Sequence, residues 1–76
     1  MIKELVEYVV VQLVHDPESV QVSIVQDNDV RTVNIKVSAR DRGRLIGKRG
    51  QTIRAIRTLV DTVISAEEKI SVRVAD

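Results

Sequence analysis

Apolar side chains fall at positions 2, 5, 6, 9 and 13, with Lys3, Glu4, Glu7 and Gln12 set on the other side. That spacing predicts an amphipathic helix over Ile2 to Val14. The valines at 9, 10 and 11 pull toward strand, because β-branched side chains suit a pleated surface, but the helical period prevails. His15-Asp16-Pro17 ends the helix, since the residue ahead of a proline avoids helical geometry. The period then changes to two. Val20, Val22 and Ile24 alternate with Gln21 and Ser23, and Val33, Ile35 and Val37 alternate with Thr32, Asn34, Lys36 and Ser38. Asp27-Asn28-Asp29 between them carries turn chemistry, so the pair reads as an antiparallel hairpin with one dry and one wet face. A third alternating run, Ile70, Val72 and Val74 with Ser71 and Arg73 outward, is expected to complete the same sheet.

Two helical pieces lie between hairpin and last strand. The first is short, about Arg42 to Ile46, with Asp41 as its cap. The second runs from Gln51 to Ser65, with Ile53, Ile56, Val60, Val63 and Ile64 on one face and Arg54, Arg57, Thr58 and Asp61 on the other. Ala55 and Leu59 widen its apolar arc to about half the circumference, more than a helix resting on one sheet needs. The predicted class is α+β in two layers, order α-β-β-α-α-β, with three helices over the apolar face of a three-stranded sheet. Ala55 and Leu59 either pack on the first helix or form an exposed strip suited to a symmetric contact, giving a homodimer or a heterodimer with a related protein.

Composition narrows the classes. Seventy-six residues make one small domain, expected to span 1–76, and its 43% hydrophobic residues are almost all Val, Ile and Leu. There is no Cys, which excludes disulfides and thiolate metal sites. Charged residues interrupt any secretory apolar region near the start, and no apolar run approaches a membrane span. A soluble cytoplasmic domain is the expectation. Net charge is only +1, but it is unevenly placed. Residues 40 to 57 hold seven cations against Asp41, a balance of +6, while the remainder holds five cations against ten anions, a balance of −5. Such a basic block is an electrostatic footprint for a polyanion.

The block coincides with Leu45-Ile46-Gly47-Lys48-Arg49-Gly50-Gln51-Thr52-Ile53, where two of the three glycines stand three residues apart around two cations. Glycine at both corners admits φ values and a close backbone approach that a Cβ obstructs. The helix that follows offers unpaired N–H groups, here those of Gln51 and Thr52, and the positive end of its dipole. A phosphate cradle is the chemistry this junction predicts. Arg44 and Arg54 are the preferred additional contacts, ahead of Arg40, Arg42 and Arg57.

Ile46-Gly47-Lys48-Arg49-Gly50-Gln51-Thr52-Ile53, followed by Ile56, matches the I-G-x-x-G-x-x-I core of KH domains, in the helix order of the type II topology. The chain resembles that family over essentially its whole length, and within it the bacterial single-KH family KhpA. The resemblance implies that the loop clamps about four nucleotides of single-stranded RNA backbone. It further implies that Ile46 and Ile53 help form an apolar groove for bases, whose edges meet the hairpin's second strand around Ile35 to Val37. It also implies an RNA chaperone that works with a larger Jag-type RNA-binding partner, KhpB, in cell elongation, division and wall homeostasis. Two other readings stand beside it: a dimerising protein-interaction adaptor, and a binder of single-stranded DNA.

Other chemistries find little footing. One aromatic residue, Tyr8, cannot supply the stacked rings of RRM or OB-fold readers, and a packing role is expected for it. The single His15 reads as a helix-end side chain, and no nucleophile-base pair or cluster of metal ligands is visible. Asp27 and Asp29 are explained by the turn. The loop lacks the longer spacing of a P-loop. Neither catalysis nor a cofactor, metal or small-molecule substrate is expected.

Overall fold

Helix α1 (Ile2–Leu13) opens the chain in the structure, a computed structural model that describes residues 1–65 and 68–75. Val6 and Val10, one turn apart, form its buried line, flanked by half-buried Ile2 and Val9. This differs from the expected stripe: Val10 replaces Leu13, which is 37% exposed. The tertiary contact thus overrides the strand preference of the valine run. Tyr8 lies on the opposite side and is 68% exposed, so it does not pack as expected. Val14 breaks the helix in extended geometry, and Pro17–Ser19 make one 3-10 turn.

The hairpin follows as β1 (Gln21–Asp27) and β2 (Val30–Lys36), antiparallel, with Asp27 opposite Val30. Asn28 takes the left-handed conformation at the turn (φ 56°), which asparagine tolerates better than most residues. Helix α2 (Ala39–Ile46), a 3-10 turn at Lys48–Gly50 and helix α3 (Gln51–Val63) lead to β3 (Lys69–Val74), which runs parallel to β2. The sheet order is β1-β2-β3, and the observed architecture is the type II KH fold.

Period two sorts the sheet. Val22, Val33, Ile35 and Val72 turn inward and meet Val6, Val10, Leu45, Ile53, Ile56 and Val60 from the helices. Ile24 shares that face but is partly uncovered toward the hairpin tip. In α3 the buried stripe is 53, 56 and 60, as its spacing predicts. The helix stops at Val63 rather than Ser65; Val63 is left exposed, and Ile64 turns extended to pack on the core. Arg57, placed by sequence on a wet face, donates from Nε and Nη2 to the Val72 carbonyl at 3.2 and 3.1 Å. It therefore braces α3 on the edge strand β3.

Helix α2 departs most from expectation. It starts at Ala39, with Ser38 as N-cap, so Asp41 stands inside the first turn instead of capping it. Its side chain is completely buried and accepts the main-chain N–H of His15 and of Asp16, both at 2.9 Å, and the Ser38 hydroxyl at 3.0 Å. The carboxylate thereby ties the turn after α1 to the start of α2. The His15 N–H, with those of Asp16 and the Ser38 hydroxyl, holds its pKa below the ordinary aspartate value against the opposing effect of burial.

Candidate nucleic-acid interface

Four residues join α2 to α3, and their backbone is unusual at three of them. Gly47 has φ 78°, ψ 171°; Arg49 has φ 58°, ψ 27°; Gly50 has φ 73°, ψ 18°. Only glycine enters the first of these regions without strain. A Cβ on Gly47 would also stand 2.4 Å from Thr52 Oγ1 and 2.8 Å from the Thr52 nitrogen. The first glycine is thus required by the loop's own closure, independently of any ligand. At Gly50 the left-handed φ is the whole requirement, because a Cβ there meets nothing nearer than the Arg54 guanidinium at 3.5 Å.

The turn projects Lys48 and Arg49 into solvent at the head of α3. Arg54, one turn into that helix, donates to the Arg49 carbonyl, which fixes a third cation beneath the loop. Lys48, Arg49, Gln51 and Arg54 together line one shallow depression. The expectation that the Gln51 N–H is free for phosphate is corrected: it donates to the Lys48 carbonyl, and the Gly50 N–H to that of Gly47. Tight turns satisfy their own donors first, so the charge of this site lies chiefly in its side chains. Arg44 Nε sits 3.9 Å from the Asp41 carboxylate and remains half exposed.

The two isoleucines expected to form a groove separate. Ile46, the last residue of α2, is 38% exposed beside the loop, whereas Ile53 belongs to the buried stripe of α3 and supports the loop from the core. Ile35 and Val37 are buried as well, β2 is the central strand, and the Ile35 carbonyl accepts the N–H of Ala75. That segment presents no free apolar edge to a base, which corrects the expected contact around Ile35 to Val37. The cause is its central place in the sheet, which period two alone does not reveal.

On the far side of α3, Ala55, Ile56 and Leu59 face Val9 and Leu13 of α1 across an open groove of about 400 Å³, with Gln51 and Thr52 at the loop end. Ala55 is exposed and Leu59 half-buried, so contact with α1 covers the strip only in part. Among the described residues no group of acidic or histidine side chains is placed to hold a metal ion, and no helix is long and apolar enough to cross a membrane.

The family model for the KhpA/KhpB KH domain matches residues 3–75. The RNA-binding protein KhpA of Chlamydia trachomatis is 39% identical over 75 residues, covering 97% of this chain and 96% of that one. KhpA of Clostridium perfringens is 42% identical over 67 residues, covering 88% and 89%. Among solved structures, the crystal structure of APE1850 superposes with a TM-score of 0.58 at 30% identity, over 88% of this chain and 48% of that one.

Proposed function

The chain belongs to the KhpA/KhpB KH-domain family, a family of RNA-binding proteins rather than enzymes, and from this we propose that it is a single KH module over residues 1–76 that clamps single-stranded RNA at Gly47 to Gly50. The observation that carries the reading is the loop itself: two positive-φ glycines hold Lys48 and Arg49 outward at the head of α3, with Arg54 bonded beneath. Lys48 and Arg49 neutralise phosphates, Arg44 and Arg54 extend the positive face, and Ile46 offers an aliphatic surface to a base. Gln51, Thr52 and Ile53 shape the loop's exit into α3. Phosphate contacts of this kind position a strand without reading its sequence, so intrinsic specificity is low.

The test is a titration of a short single-stranded RNA, and its DNA equivalent, at two salt concentrations. Wild-type affinity should fall with salt, with a log–log slope of about 0.7 for each phosphate neutralised. Lys48→Asp/Arg49→Asp should bind at least about 100-fold more weakly, since it exchanges two attractions for two repulsions. Equal binding by the double variant would defeat the proposal, and equal binding of RNA and DNA would widen it to single strands in general.

The groove between α1 and α3 supports a second element, pairing of two copies through Ala55 and Leu59. Pairing makes the second engagement of a weak clamp intramolecular and raises avidity. Leu59→Asp should then sediment as a folded monomer; an unchanged sedimentation profile for wild type and variant would remove the idea. Membership of the family supports the remaining features of the reading. These are a cytoplasmic RNA chaperone and a Jag-type partner, KhpB, alongside or in place of the homodimer. The cellular context is post-transcriptional control of elongation, division and wall homeostasis. The adaptor reading has one observation behind it, the same apolar groove, and predicts that the loop variant keeps its partner while losing RNA.

A further inference from the structure

The two edges of the sheet are protected unequally. On β3 the Val72 carbonyl accepts Nε and Nη2 of Arg57, and Lys69 and Arg73 set cations along the strand. Charged side chains and covered main-chain groups are how proteins keep a further strand from adding to an edge. β1 has neither. Its seven residues, Gln21–Asp27, include no proline and no cation, and all but Val22 are exposed. Among the described residues nothing outside the sheet bonds its main chain. The two-residue turn fixes which groups are free. Because the Asp27–Val30 pair closes it, Gln21, Ser23, Val25 and Asp27 bond β2. The N–H and C=O groups of Val22, Ile24 and Gln26 then point away from the sheet. Apolar side chains gather at the same edge, with Ile24 exposed on the helix side and Val25 on the other.

We propose that β1 is a strand-addition site for a second copy of this chain, paired antiparallel about a two-fold axis at Ile24. In that register Val22 meets Gln26, Ile24 meets Ile24 and Gln26 meets Val22, so each residue with free main-chain groups faces another. A shift of two residues would leave part of the set without partners. Ser23 meets Val25 and Gln21 meets Asp27, which opposes no like charges, and a net charge of +1 repels a second copy little. The two sheets become one of six strands, and the Ile24 side chains cover each other. One strand edge buries less than the ~1,200 Å² of a stable interface, so the contact is weak, with a dissociation constant of about 1 mM. It uses the sheet and not the helices, and is therefore independent of pairing through Ala55 and Leu59.

The chain has no cysteine, so one introduced thiol reports the register. Ile24→Cys, Gln21→Cys and Val63→Cys are each made in the Leu59→Asp protein, which removes pairing through the groove, and oxidised with copper phenanthroline near 1 mM, about the expected dissociation constant. At the axis the two copies of position 24 lie about 5.5 Å apart, within disulfide reach, whereas those of position 21 lie about 20 Å apart. Ile24→Cys should cross-link at least about tenfold faster than either of the others. Should Ile24→Cys melt early, a mixture of Gln21→Cys with Asp27→Cys, opposed in the same register, should cross-link while neither does alone. Amide spectra of the Leu59→Asp protein, recorded from about 0.05 to about 2 mM, should shift at Val22, Ile24 and Gln26. Val25→Lys, at an exposed position, adds like charges across the axis and should abolish those shifts. Equal cross-linking of the three thiols, or shifts that survive Val25→Lys, would overturn the site.

Discussion

Gly47→Ala is expected to lower the melting temperature by about 15 °C or more in a domain of this size. Two separate terms act. The backbone at φ 78°, ψ 171° lies where an L-residue is strained by roughly 1–3 kcal/mol. The new methyl would in addition overlap Thr52, at 2.4 Å from Oγ1, 2.8 Å from the main-chain nitrogen and 2.9 Å from Cβ. Overpacking of this kind costs about 1–3 kcal/mol more. The whole stability of 76 residues is about 4–11 kcal/mol, so the sum is a large part of it. Adding Thr52→Ala should not restore the loss, because the nitrogen and Cβ remain. Gly50→Ala provides the contrast: its left-handed φ costs about 1 kcal/mol and nothing crowds its Cβ. Thermal unfolding of the three variants decides the matter; a Gly47→Ala protein melting with or above Gly50→Ala would show that loop closure does not depend on the first glycine.

The two glycines, alike in the motif, thus serve different ends, and sequence alone could not separate them. What it did carry was whatever depends on period. The hairpin with its dry and wet faces, the buried stripe of α3 and the element order all follow from where Val, Ile and Leu recur, because solvent sorts them directly. The cations of the loop were equally legible, since charge clustering needs no coordinates. Long-range polar contacts were not. Asp41 is hidden among seven cations, and two of its three partners are main-chain N–H groups 25 and 26 residues earlier, which leave no trace in residue type. The same blindness covered Arg57, whose acceptor is a carbonyl, and Ile35 and Ile53, which the core claims before any base.

Asp41→Asn should therefore be costly at neutral pH and progressively less so in acid. An asparagine amide can accept through only one of its two ends, so either the His15 or the Asp16 N–H would face an NH2 donor at a fully buried position. Loss of a charge-assisted acceptor and a buried donor left unsatisfied together predict a fall of about 10 °C in melting temperature. Ser38→Ala, which removes only the hydroxyl donor, should have a smaller effect. The pH dependence has a definite sign. The folded pKa of Asp41 is depressed, so its contribution is fully present above the ordinary value of 3.8. It is lost as pH falls below that value and through the lower folded one. Wild type and Asp41→Asn should accordingly differ most at neutral pH and converge in acid, in unfolding curves followed from about pH 7 to about pH 3. A difference that stayed constant over that range would mean that the carboxylate charge is not what joins α1 to α2. The consequence reaches the loop, because α2 runs from the Asp41 anchor straight into Gly47. A helix freed at its first turn no longer fixes where Ile46 and the two cations stand, so Asp41→Asn should also weaken RNA binding at temperatures where it remains folded.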